Sequence, residues 1–154
     1  MKKIALAILF LLILNSCDYE PIYSSKNAKF AILNIESTGD KKINKILVKK
    51  LEIYNYNKNI SAKKKYNLNI SSSVSKNISS KDKKGNPIAF NLTISFKLEI
   101  EDSLGEKKYK VFEQNTIYDN DTNKFNLRKY ENLIKENIVE NINENIIQYL
   151  QNIN

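Results

Sequence analysis

Residues 88–100 constrain this chain more than any other stretch. Ile88, Phe90, Leu92, Ile94, Phe96, Leu98 and Ile100 take every second place over 13 residues, with Ala89, Asn91, Thr93, Ser95, Lys97 and Glu99 between them. A period of two puts the large apolar side chains on one face of an extended strand and leaves the other face wet. Such a strand needs paired neighbours and a cover for its greasy face. The neighbours are present. Tyr66, Leu68, Ile70, Ser72 and Val74 alternate in the same way, with a polar end at Lys76 to Ser80 expected to fray. Lys81 to Pro87, with Gly85 and Pro87, has the chemistry of a turn, and Asp102-Ser103-Leu104-Gly105 makes a tighter one. Lys107 to Tyr118 supplies a further strand, where the adjacent Val111 and Phe112 predict a bulge or a change of phase.

The cover is present too. Lys29 to Glu36 reads as a first strand, broken at Gly39, and Asp40 is placed to cap a helix. Between Asp40 and Asn57, Ile43, Ile46, Leu47, Leu51 and Tyr54 recur at steps of three and four, with lysines on the opposite side. From about Asn123 to the end, Tyr130, Ile134, Ile138, Ile142 and Ile146 stand four apart, flanked by Leu127, Leu133, Val139, Ile147, Leu150 and Ile153. Steps of four drift around a helix, so this stripe must curve; its asparagines weaken helix propensity, and the last turns are expected to fray. The order β-α-β-β-β-α predicts an α+β, two-layer domain: a four-stranded, mainly antiparallel sheet covered by two helices, its last three strands forming a meander.

The first residues are an address. Lys2 and Lys3 precede 11 uninterrupted apolar residues, Ile4 to Leu14, and then Asn15, Ser16 and Cys17. A spanning helix needs about 20 apolar residues, so the run reads as a secretory signal peptide. Leu14-Asn15-Ser16-Cys17 resembles the bacterial lipobox, which implies cleavage before Cys17, diacylglycerol on its thiol and a further acyl chain on its amine. Two or more acyl chains hold a protein on a membrane durably where one does not. The predicted layout is a signal peptide over 1–16, a lipidated tether over 17–28, and a single periplasmic domain over 29–154.

Composition removes much chemistry. The 154 residues include no His and one Cys, so imidazole relays, His-ligated metals, an internal disulfide and a Cys-rich zinc site are excluded. No metal, cofactor or catalytic residue is expected. A hydrolase would need a carboxylate pair in a cleft; Glu99 and Glu101 share a strand face, but the exposed one, close to a turn. Past residue 16 the chain carries 23 basic and 17 acidic residues, net +6. Residues 40 to 84 concentrate 13 lysines against 3 acids. That asymmetry predicts a basic face. An exported, tethered protein rarely meets nucleic acid, so its anionic partners would be phosphorylated glycolipids, anionic headgroups or acidic proteins.

Cys17-Asp18-Tyr19-Glu20-Pro21-Ile22-Tyr23 resembles the start of mature lipopolysaccharide-assembly lipoproteins of the LptE family, alphaproteobacterial type. These begin with Cys, an aromatic residue, Pro, an aliphatic residue and Tyr at this spacing. The predicted layout matches that family over nearly all of the mature chain. The resemblance implies a non-enzymatic outer-membrane lipoprotein that sits inside the β-barrel LptD, helps it fold, plugs its lumen and binds lipopolysaccharide. It also implies ligand contact near the turn between the second and third strands, which here carries Lys81, Lys83 and Lys84. Lys41, Lys42, Lys45, Lys49 and Lys50 form a second patch that reads as a solvated helix face. Asp18 occupies the place where, in enteric bacteria, an Asp keeps a lipoprotein at the inner membrane, so the destination stays open between the two membranes. The alternative function is an auxiliary periplasmic lipoprotein of an ABC-type envelope lipid transporter.

Overall fold

The computed structural model describes residues 28–55 and 62–153. The signal segment, Cys17 and the tether up to residue 27 lie outside the described residues. The order is β1 (Phe30–Gly39), α1 (Lys41–Leu51) running into a single 3₁₀ turn (Glu52–Tyr54), β2 (Lys64–Lys81), β3 (Pro87–Asp102), β4 (Lys107–Asp119) and α2 (Lys124–Asn152). The strands form one sheet in the order β1-β2-β3-β4. β1 runs parallel to β2, while β2 with β3 and β3 with β4 are antiparallel. This is the expected α+β architecture; the parallel pair follows from α1, because a helix between two strands returns the chain to its starting end.

Both helices lie on one face of the sheet. Leu92, Ile94, Phe96, Leu98 and Ile100 of β3 are almost fully buried, as are Leu68 and Ile70 of β2. Ile43, Leu47 and Leu51 of α1 and Ile138, Val139, Ile142, Ile146 and Leu150 of α2 close over them. Removing this face from water is the main stabilising term. Steps of four rotate the stripe of α2 by about 40° each. The helix therefore changes its neighbours along its length. Tyr130, near its start, packs edge-on to Tyr118 at the end of β4, and Tyr149 meets Phe112 further back along that strand.

Ser72 is the polar member of a buried alternation, and the turn from β1 into α1 explains it. Gly39 has φ +96, and a Cβ there would lie 2.0 Å from the carbonyl oxygen of Ser72. Glycine alone fits that close approach. The next residue, Asp40, donates its N–H to Ser72 Oγ at 3.0 Å and accepts from the N–H groups of Lys42 and Ile43 at 2.9 and 3.1 Å. Asn44 Nδ2 then donates to the Thr38 carbonyl at 2.8 Å. At the far end of α1, Tyr54 stacks on Phe30 with ring centroids 5.1 Å apart.

Four local expectations are corrected. β2 does not fray at Lys76 to Ser80 but stays paired with β3 to Lys81, because β3 is long enough to partner it. No bulge occurs at Val111-Phe112: β4 keeps an unbroken register with β3, and the two side chains point to opposite faces. α2 is helical through Asn152, with Ile153 buried beyond it and its carbonyl accepting from Lys64 Nζ. Ile88 is exposed and Ala89 buried; β3 keeps its phase with β4 through Ile88, so Ile88 stays on the face of Leu92 but lies beside the exposed residues 77–86 of the hairpin tip.

Candidate functional site

The sheet and helices together present the β2–β3 hairpin. Its base is anchored by Lys76, whose ammonium lies 4.0 Å from the centre of the Phe90 ring and pairs with Glu131 of α2. Tyr118 of β4 donates its hydroxyl to the same Glu131 at 2.6 Å. Burial opposes ionisation of Glu131, but the Lys76 and Tyr118 hydrogen bonds and the Lys76 charge outweigh it and hold the carboxyl below its ordinary range. Burial first, then the bonded Glu131 carboxylate, raise the Tyr118 hydroxyl well above its usual range. This cluster clamps the hairpin to the start of α2. Sequence reading missed it, because Lys76 falls in a Ser/Asn-rich stretch that resembles a strand end.

Beyond Lys76 every residue from Asn77 to Asn86 is exposed, so the tip extends past the helical layer. Asp82 shapes it. Its carboxylate accepts from the N–H of Lys84 at 2.8 Å, the N–H of Asn86 at 2.8 Å and Asn86 Nδ2 at 3.0 Å, while Gly85 donates to its carbonyl at 3.0 Å. Those bonds, Asn86 first, lower the Asp82 carboxyl below its ordinary range. Its oxygens are committed to the turn. None of Lys81, Lys83 and Lys84 has a carboxylate within ion-pair distance among the described residues. The structure therefore brings the three predicted lysines together on one ordered, projecting turn. Ile78 and Ile88 are half exposed on the same ribbon.

The β3–β4 turn provides an internal comparison. Asp102 accepts from the N–H groups of Leu104 and Glu106 at 2.8 and 3.0 Å, and Gly105 donates to its carbonyl at 3.1 Å. The backbone device is the same, but Ser103, Leu104 and Glu106 occupy the places of Lys83, Lys84 and Asn86. The turn thus needs Asp and Gly and does not need lysine.

The second basic patch is partly engaged. Lys50 pairs with Glu140 across a groove of about 850 Å³ between the helices, walled by Lys45 and Lys49 on one side and by Glu136 and Glu144 on the other. Lys41 and Lys42 are exposed at the start of α1. On the open face of the sheet, Lys107 clamps Glu99 at 2.7 Å and reaches Glu101 at 3.9 Å. The Lys107 hydrogen bond, first among several causes, lowers the Glu99 carboxyl, and the same bond raises the Lys107 ammonium. Two glutamates sharing one lysine form a salt bridge, and the lowered carboxyl is the opposite of what a general acid needs. Among the described residues no three His, Cys, Asp or Glu side chains gather to hold a metal. No described helix is long and apolar enough to cross a membrane.

No family model and no curated protein matches the sequence. Solved structures do match the fold. The rare lipoprotein B of Shewanella oneidensis superposes with a TM-score of 0.57 at 17% identity, covering 77% of this chain and 92% of that one. A minor lipoprotein of Acinetobacter baumannii gives 0.55 at 13%, covering 78% and 90%. A lipoprotein B of Nitrosomonas europaea gives 0.59 at 12%, covering 80% and 86%. At such identities the likeness is one of fold, and this chain shares its two-layer α+β fold with solved bacterial lipoproteins.

Proposed function

We propose that this protein is a lipid-anchored subunit of lipopolysaccharide assembly that partners the outer-membrane barrel LptD, with acyl chains on Cys17 and a basic hairpin tip that meets the phosphates of the glycolipid. The observation that carries the reading is the tip. Lys81, Lys83 and Lys84 project from a turn whose fold does not require them, while the equivalent turn at Asp102 carries none at its corresponding places. Ammonium groups are point-charge partners for phosphate. Ile78 and Ile88 on the same ribbon offer apolar contact to an amphiphile whose headgroup the lysines hold. The polar open face of the sheet suits the wet lumen of a large barrel. The likeness to solved lipoproteins and the lipobox-like Leu14-Asn15-Ser16-Cys17 support the anchor.

The binding arm is tested by changing Lys81, Lys83 and Lys84 to Glu and titrating with lipopolysaccharide at two salt concentrations. Binding by the wild type should fall with salt and be lost in the triple variant, at an unchanged melting temperature. Equal, salt-independent binding by both would clear the tip of this role.

A further inference from the structure

The two edges of the sheet differ. β1 is broken by a register shift between Ile32 and Asn34, and its outer side is bridged at Ile32 by Asn55. β4 is 13 residues long, without a bulge or a proline, and no described strand pairs with its outer side. Long, regular, unpaired edges of this kind are templates for another strand. Lysines commonly blunt such an edge, yet the Lys107 ammonium is drawn back onto Glu99 of its own sheet and Lys110 lies over the Tyr149 ring.

Two hydrogen bonds fix which groups face outward. The Asn120 N–H donates to Ile88 O at 2.8 Å at one end of the β3–β4 ladder, and the Asp102 N–H donates to Glu106 O at 3.0 Å at the other. The even-numbered residues of β4 therefore turn their backbone groups toward β3, and Lys107, Tyr109, Val111, Glu113, Asn115 and Ile117 turn theirs to the open edge. Tyr109, Val111 and Ile117, all well exposed, lie on this set.

We propose that β4 is a self-association edge, where a second copy of this chain pairs antiparallel about a two-fold axis through Glu113. That register uses the whole strand and joins outward-facing groups only. It sets Lys107 opposite Asp119, Tyr109 opposite Ile117, and Val111 opposite Asn115, so unlike charges and exposed apolar groups meet on the open face. The one unfavourable pair is Glu113 with its own mate. The proposal does not depend on the lipopolysaccharide reading; it concerns the outer edge of β4 and a different partner.

Sedimentation of the full chain in density-matched detergent, over a wide concentration series, tests it. A reversible dimer is expected. Glu113→Gln removes the like-charge pair and should tighten the dimer about fivefold. Asn115→Pro removes an edge N–H, which an edge strand tolerates, and should leave a folded monomer. Glu113→Cys should give a covalent dimer with a short bis-maleimide. A monomer throughout, as expected if the edge accepts only a strand from a different protein, overturns the proposal. So does a dimer unaffected by Asn115→Pro, or one that Glu113→Gln weakens.

Discussion

Gly39 carries the sharpest single-residue prediction. Its φ of +96 and the 2.0 Å approach of Ser72 O leave no room for a Cβ, so Gly39→Ala should destabilise by about 3 kcal/mol or more, read as a lower urea midpoint. An unchanged midpoint would mean that the β1–α1 turn is not held as described. Glu131 gives a prediction in pH. Its carboxyl is lowered in the fold, so the stability it contributes is present above its ordinary value of 4.5 and is lost as pH falls below it. Tyr118 is raised, so its contribution holds below 10.0 and is lost as pH rises past that value. Glu131→Gln should lower the melting temperature near neutrality, by about 1–3 kcal/mol in free energy, and flatten the acid limb of a stability-against-pH curve. An acid limb of unchanged steepness would remove Glu131 from that role. The glycine and the cap were legible in the sequence as Gly39-Asp40, but the reason for Ser72 was not. It lies in a contact 32 residues away along the chain.

Among the elements, the β2–β3 hairpin separates ordering from chemistry. Asp82→Ala removes the carboxylate that accepts from Lys84 and Asn86. Amide exchange at the tip should then accelerate while the melting temperature of the domain stays within experimental scatter, since nothing from Asn77 to Asn86 is buried. A large fall in melting temperature would show that the tip supports the core after all. The alternation of β3 announced its strand directly, because one of its faces is buried for most of its length. Its exceptions, exposed Ile88 and buried Ala89, were not legible, since alternation along one strand does not show where the covering helices stop. In α2 the stripe was visible but its reach was not. Tyr130 and Leu133 belong to the apolar pattern yet remain exposed, Tyr130 meeting the sheet only edge-on at Tyr118.

For the whole molecule, the order of elements gave the fold class and the meander, and α1 between β1 and β2 accounts for the single parallel pair. The basic tip was legible as a cluster of lysines at a turn. What periodicity could not supply was contact between distant segments: the clamp of Lys76, Tyr118 and Glu131 that fixes the hairpin, and the similarity of the two Asp-Gly turns that makes the lysines informative. The proposed function turns on which larger body the domain joins. The most direct measurement is to purify the full chain from separated inner and outer membranes and identify what accompanies it. Co-purification from the outer membrane with a large, heat-modifiable β-barrel is the predicted result. Recovery only from the inner membrane with an ABC-type transporter, or from neither membrane, would contradict it.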